Sequence, residues 1–182
     1  MVKYIGIDIV RMNFVAARQL NSQWCWAACI KMVLNYYGVS ITQKQIVART
    51  YKANELGQLP NWPATYKTIH KNLNNWGIDN NGIRYKVTAK IFPGAPDPRL
   101  LLTELKNKRP IILAYSNGNN TGHAVIITGA SYEVKNANNA IKTVVVRDPW
   151  PNEENIKTFG RVEYFGKDLA DLMNAFWLVR VE

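Results

Sequence analysis

The stretch Gln19-Leu20-Asn21-Ser22-Gln23-Trp24-Cys25-Trp26-Ala27-Ala28 decides how the rest of the chain is read. It sets a thiol between two indoles at the head of a helical pattern, in which Ala27, Ile30, Val33, Leu34 and Tyr37 recur at helical spacing. Asn21 and Ser22 are capping residues, and Gly38 suits a left-handed helix end, so a helix is expected from about Ser22 to Tyr37. A helix N-terminus carries partial positive charge and unpaired N–H groups, and both favour thiolate over thiol. Gln19, upstream of Cys25, can offer a side-chain N–H to an oxyanion. Gln23 competes for that role but would have to reach back over Cys25 from the first helical turn.

A thiol that transfers acyl groups needs a base, a group that orients the base, and donors for the oxyanion. His123 is the candidate base. It follows Thr121-Gly122 at the start of the apolar run Ala124-Val125-Ile126-Ile127, and the glycine leaves room for a substrate backbone. Asp148 is the candidate orienter. It ends the run Thr143-Val144-Val145-Val146-Arg147, and Pro149 holds it extended and stops the ladder there. Each residue also has a plainer reading: a buried structural cysteine, a strand-edge histidine, an Asp-Pro turn paired with Arg147. Cys29, one turn deeper beside Ile30, reads as a structural cysteine, and His70, between Lys67 and Lys71, reads as a surface or supporting residue.

The chain has 182 residues, enough for one domain of two lobes with a real core. Its longest apolar runs, such as Ile111-Ile112-Leu113-Ala114, are far too short to cross a bilayer, so no membrane span is expected. Asp8 and Arg11 interrupt the N-terminal apolar run, which argues against a signal peptide. The expectation is a soluble chain, cytoplasmic as written, or secreted as a leaderless effector or as part of a longer protein. Cys25 and Cys29 are the only cysteines, and their spacing on one helix does not favour a bridge. His70 and His123 are the only histidines, too few for a metal site, and no metal or other cofactor is expected.

Charge is uneven. Residues 1–90 carry 12 Lys and Arg against Asp8, Glu55 and Asp79, whereas residues 91–182 carry 11 against 10 acidic residues. A basic face could attract an acidic partner, but no Lys/Arg cluster is dense enough for a nucleic-acid motif, and a solvated surface is the simpler reading.

Other elements follow from local signals. Tyr4 to Ile9 alternates like a strand, and Phe14-Val15-Ala16-Ala17 could be a second strand. Thr42 and Gln45 form a capping-box pattern before Ile46-Val47-Ala48. A third helix is expected from Pro63, through Tyr66, Ile69 and Leu73, to Trp76-Gly77. A strand at Ile83–Thr88 and a proline-rich loop at Ile91–Pro98 lead into a helix opened by Asp97-Pro98. Strands are expected at Ile111–Ser116, His123–Tyr132, Ile141–Asp148, Arg161–Phe165 and Phe176–Val181, with turns at 117–120 and 136–139 and a short helix from Lys167 to Asn174. Helices first and antiparallel strands second imply an α+β fold, with a helical lobe at about 15–80, a β lobe at about 81–182, and a cleft between them.

The motif around Cys25, together with Gly122-His123-Ala124-Val125-Ile126-Ile127-Thr128-Gly129 and Val146-Arg147-Asp148-Pro149-Trp150, resembles the papain-like cysteine peptidases. It is most similar to the bacterial branch that includes double-glycine leader peptidases and secreted effector proteases. The resemblance covers residues 15–181. It implies a papain-like two-lobed fold with Cys25 as nucleophile, His123 as base, Asp148 as third member and Gln19 as oxyanion glutamine. Two features depart from papain: Ser-Gln-Trp precedes Cys25, and the third member is Asp rather than Asn. The partners implied are a protein or peptide substrate and an inhibitor or immunity protein. The same triad would serve an isopeptidase, a deamidase or a transglutaminase-like acyltransferase, since all pass through one thioester. A basic binding module with a vestigial triad is the non-enzymatic alternative.

Overall fold

A computed structural model describes residues 1–74, 76–116, 122–135 and 138–182. The turn predicted at 117–120 lies outside the described residues, as does the first half of the one predicted at 136–139, whose Asn138 and Asn139 instead open a strand. Among the described residues, seven strands form one antiparallel sheet with the path β2-β7-β3-β4-β5-β6. The elements, in chain order, are β1 (Val2–Gly6), α1 (Ile9–Val15), α2 (Cys25–Tyr36), α3 (Gln43–Thr50), α4 (Tyr66–Leu73), β2 (Val87–Pro93), α5 (Pro98–Lys106), β3 (Ile111–Ser116), β4 (Gly122–Lys135), β5 (Asn138–Arg147), α6 (Glu153–Lys157), β6 (Arg161–Phe165), α7 (Gly166–Leu172) and β7 (Met173–Val181).

β4 organises the sheet. Its first half pairs with β3, from Ser116↔Gly122 to Ile111↔Ile127, and its second half pairs on the same edge with β1, from Gly6↔Gly129 to Val2↔Glu133. β5 takes the other edge. Helix α2 packs against β4 and β3, with α1 and α3 beside it. Nine residues of α2 are buried, from Trp26 to Tyr36, so this helix forms the centre of the core instead of a half-exposed layer. Its end follows the sequence signal: Gly38 adopts φ +93°, and its N–H closes on the Asn35 carbonyl.

Several local signals behave as read. Thr42 and Gln45 form the reciprocal capping box of α3, and Asp97 caps α5 by accepting from the N–H groups of Arg99 and Leu100. Others do not. Phe14–Ala17 is not a strand. The Asp8 side chain caps α1 by accepting from Arg11 N, and Met12 and Val15 then bury one helical face while Phe14 points to solvent. The first turn of α2 is not capped by Asn21 or Ser22; Trp24 is the N-cap and supplies no side-chain bond. α4 begins at Tyr66, not Pro63, because Thr65 accepts from Thr68 N; it ends at Leu73 because Asn74 turns extended and bonds both the His70 carbonyl and Ala89 N.

The predicted strand at Ile83–Thr88 shifts to Val87–Pro93. The Asp79 carboxylate gathers the N–H groups of Ser40, Asn81 and Ile83 and bends residues 79–83 into a turn. Ladder pairing with β7 therefore begins only at Val87↔Val181. Pro93 is tolerated because β2 is an edge strand. Helices α5 and α7 lie among the later strands as expected, and α6 is an additional short helix that no local signal had marked. Among the described residues no helix is long and apolar enough to cross a membrane.

Leu113 lies at the centre of the sheet, fully buried, opposite Val125 on one side and Phe176 on the other. Leu113→Ala should cost about 2–5 kcal/mol through lost transfer energy and the cavity left behind, read as a lower urea midpoint at unchanged m-value.

Candidate active site

Three separate elements bring their side chains to one end of the sheet. Cys25 is the first residue of α2, His123 the second residue of β4, and Asp148 the residue after β5. The antiparallel register pairs Ile126 with Arg147, so the start of β4 and the end of β5 emerge side by side. His123 Nε2 lies 2.8 Å from Asp148 Oδ1, with both side chains largely buried. Cys25 lines the same cleft, near enough to the ring for its thiol to help raise the pKa of the imidazole. With Nε2 committed to the carboxylate, Nδ1 is the nitrogen left for the sulfur.

The electrostatics of the ring follow from these partners. Burial by itself would lower the His123 pKa. Hydrogen bonds to Asp148 and Cys25, and their charges, outweigh burial and carry it from 6.5 up to about 9. Cys25 is the first residue of a helix whose N-cap adds no side-chain acceptor, so no capping side chain competes for its N–H.

Asp148 is itself held on several sides. Oδ1 also accepts from Trp150 N at 2.8 Å, and the Asp148 backbone N–H donates to the Gly160 carbonyl at 2.7 Å. Gly160 adopts φ +73°, and a Cβ there would collide with the Asp148 carbonyl. Residues 149–160 form a short closed loop. Asn152 caps α6, Asn155 Nδ2 donates to the Trp150 carbonyl, and Gly160 N donates to the Asn155 carbonyl. Arg147, 2% exposed, donates from one guanidinium nitrogen to the Thr158 and Phe159 carbonyls and so pins the far side of this loop. Burial, followed by the charge of Arg161, lowers the Arg147 pKa to about 10.

A cleft of about 370 Å³ opens over the site, lined by Ser22, Gln23, Cys25, Tyr115, Gly122, His123, Asp148 and Trp150. The half-exposed Trp150 forms part of its wall, whereas Trp26 is core, with its indole N–H directed at the Trp62 carbonyl. Tyr115 was not singled out by sequence. It pairs with His123 across β3 and β4, and its ring stands edge-on to the imidazole at 5.7 Å. Burial, then the nearby Tyr164, Asp148 and Cys25, push its phenol well above the ordinary range, so it stays neutral. The signal available was the hairpin symmetry that sets Tyr115 opposite His123.

Gln19 does not line this cleft as the others do. It is buried, and its Nε2 donates to the carbonyls of Asn21 at 3.0 Å and Ser22 at 2.7 Å, within the turn that leads into α2. Its backbone N–H donates to the Pro149 carbonyl, which ties the segment before Cys25 to the residue after Asp148. Cys29 is fully buried. Burial, then Cys25 and Asp148, raise its thiol pKa well above the ordinary value, which suits a structural role. His70 lies in α4, not at the cleft.

The description Peptidase_C39 like family fits residues 11–166. The chain belongs to this family. No curated protein matches it in sequence. Among solved structures, this C39-like chain is similar to the peptidase domain of Streptococcus ComA, a bi-functional ABC transporter involved in a quorum sensing pathway. The two are 13% identical, with a TM-score of 0.58 over 90% of this chain and 95% of that one. A double glycine motif protease from an AMS/PCAT transporter, solved in complex with the leader peptide, is 18% identical, with a TM-score of 0.53 over 90% and 89%. Procathepsin L2 from Tenebrio molitor larval midgut is 14% identical, with a TM-score of 0.56 over 96% and 67%. These likenesses establish the fold as papain-like, and family membership makes the chain a cysteine peptidase of the C39 and papain-like type.

Gly160→Ala should place the backbone in a strained conformation costing about 1–3 kcal/mol. It should also loosen Asp148 from the ring, so that the His123 pKa in an NMR titration falls from about 9 towards 6.5.

Proposed function

We propose that the chain hydrolyses peptide bonds through a Cys25–His123–Asp148 triad. The observation that carries this reading is the imidazole bonded to the Asp148 carboxylate in the same cleft that Cys25 lines. The Cys25 sulfur attacks the substrate carbonyl carbon while His123 stands by as the imidazolium. The tetrahedral oxyanion is met by the Cys25 N–H and by the Gln19 amide, which gives up its longer bond, to the Asn21 carbonyl, to do so. The C–N bond then breaks, and His123 passes its proton to the departing amine. Water, deprotonated by His123, attacks the thioester and releases the acid and the free thiol.

The whole chain, residues 1–182, would form one peptidase domain, because β1 near its start and β7 near its end belong to the same sheet. Gly122 supports an extended peptide as substrate: among the described residues a Cβ there would meet only the Tyr115 carbonyl, at 3.9 Å, which leaves room beside the ring for a backbone. The leader peptide bound to the double glycine motif protease supports the same class of substrate. The role proposed with this activity is that of a toxin or effector protease, with an inhibitor or immunity protein as partner.

Cys25→Ala should abolish both peptide hydrolysis and labelling by iodoacetamide; retained hydrolysis would exclude the mechanism. Gln19→Ala should lower kcat about 10²-fold or more while leaving iodoacetamide labelling of Cys25 in place. The pH profile has a defined sign. His123 is raised, so it is protonated below about 9, and kcat/KM should fall as pH rises through that value. Asp148→Asn should move this limb to lower pH, because it removes the partner that raises the ring.

A further inference from the structure

Gln43 opens α3 and is 3% exposed, an unusual degree of burial for a glutamine. Its side chain bonds neither its own helix nor the solvent. Oε1 accepts from Leu20 N at 3.1 Å, and Nε2 donates to the Arg18 carbonyl at 2.7 Å. These two backbone groups flank Gln19. The amide of Gln43 thus pairs with residues 18–20 as a neighbouring strand would, one donor and one acceptor on either side of the residue between them. On its other edge the same segment is fixed once more, by the bond from Gln19 N to the Pro149 carbonyl.

Packing alone does not do this job: Arg18 and Leu20, on either side of the buried Gln19, are exposed, and an open surface groove lined by Ala17, Gln19, Leu20, Lys31, Gln43 and Pro151 among others runs beside them. The segment's backbone position is set by hydrogen bonds, and two of these come from one side chain.

We propose that Gln43 is a positioning residue, one that holds Gln19 where its amide can reach the oxyanion. The proposal rests on the role of Gln19 given above. Gln43 touches no substrate atom; it acts through the main chain on either side of Gln19. No aliphatic residue could replace it without leaving the Arg18 carbonyl and the Leu20 N–H unpaired. A glutamate could accept from Leu20 N but would set a carboxylate against the Arg18 carbonyl.

The test compares Gln43→Glu, Gln19→Ala and the double variant in the full chain. Each is assayed for peptide turnover and for the rate at which iodoacetamide alkylates Cys25, a reaction that develops no oxyanion. Gln43→Glu should lower kcat by about tenfold or more, with KM and the alkylation rate within about twofold of the natural chain. In the Gln19→Ala background the same change should cost less than about twofold, because both act through one amide. Full turnover in Gln43→Glu beside a defective Gln19→Ala would overturn the positioning role and leave the role of Gln19 standing. Full turnover in Gln19→Ala would overturn both. A parallel fall in alkylation, or full additivity in the double variant, would mark Gln43 as a general structural residue and also overturn the proposal. If Gln43→Glu does not fold, Gln43→Met takes its place under the same criteria; failure of both to fold overturns the proposal.

Discussion

The register between β4 and β5 is the constraint on which the site depends. Pairing Ile126 with Arg147 brings residues 123 and 148 to the same end of adjacent strands, at a separation their side chains can bridge. A slip of one residue would turn one of the two side chains to the opposite face of the sheet and break the bond. The register is held by burial: Val125, Ile126, Ile127, Val144, Val145 and Val146 are all almost fully enclosed. The force that fixes the pair is therefore hydrophobic and remote from the cleft. The helix above them is placed by the same core, since α2 packs on β4 and carries Cys25 at its first residue.

The segments that flank the triad are held in a different way. Neither residues 18–24 nor residues 149–160 contribute a strand, and apart from Trp24 neither supplies a side chain to the hydrophobic core. Side-chain amides and one guanidinium fasten them, through Gln43, Asn155 and Arg147. Burying an arginine on two carbonyls, without a carboxylate among its described partners, is costly, and the lowered Arg147 pKa reflects that cost. What this arrangement gives in return is a loop whose shape depends on directional bonds, with Asp148 presented at a fixed height beside the ring.

Much of the fold could be read from short-range signals. Capping at Thr42 and Asp97, the glycine after α2 and the apolar strands of the second half all work within a few residues. Cys25, His123 and Asp148 were legible for a similar reason: each sits at the boundary of an element that sequence could locate. The misreadings came from longer range. Phe14–Ala17 has strand-like composition, but the Asp8 cap and the burial of Met12 and Val15 decide for helix. The start of β2 was hidden because Asp79 reaches across to Ser40. Tyr115, Tyr164 and Gln43 carry no local mark at all. Their importance depends on which strand lies opposite and which loop crosses above.

The six-strand path ends at two borders, β2 and β6, while β1, paired only with β4 among the described strands, adds a further edge beyond β3. An open border invites the unpaired backbone of another chain. On β2, Thr88 and Lys90 face outward and Pro93 offers no N–H, while β6 carries Arg161 and Glu163 paired at 3.7 Å. Charge and a missing donor thus blunt both margins against strand-to-strand self-association, a safeguard suited to a chain that keeps so much of its apolar surface in a single layer.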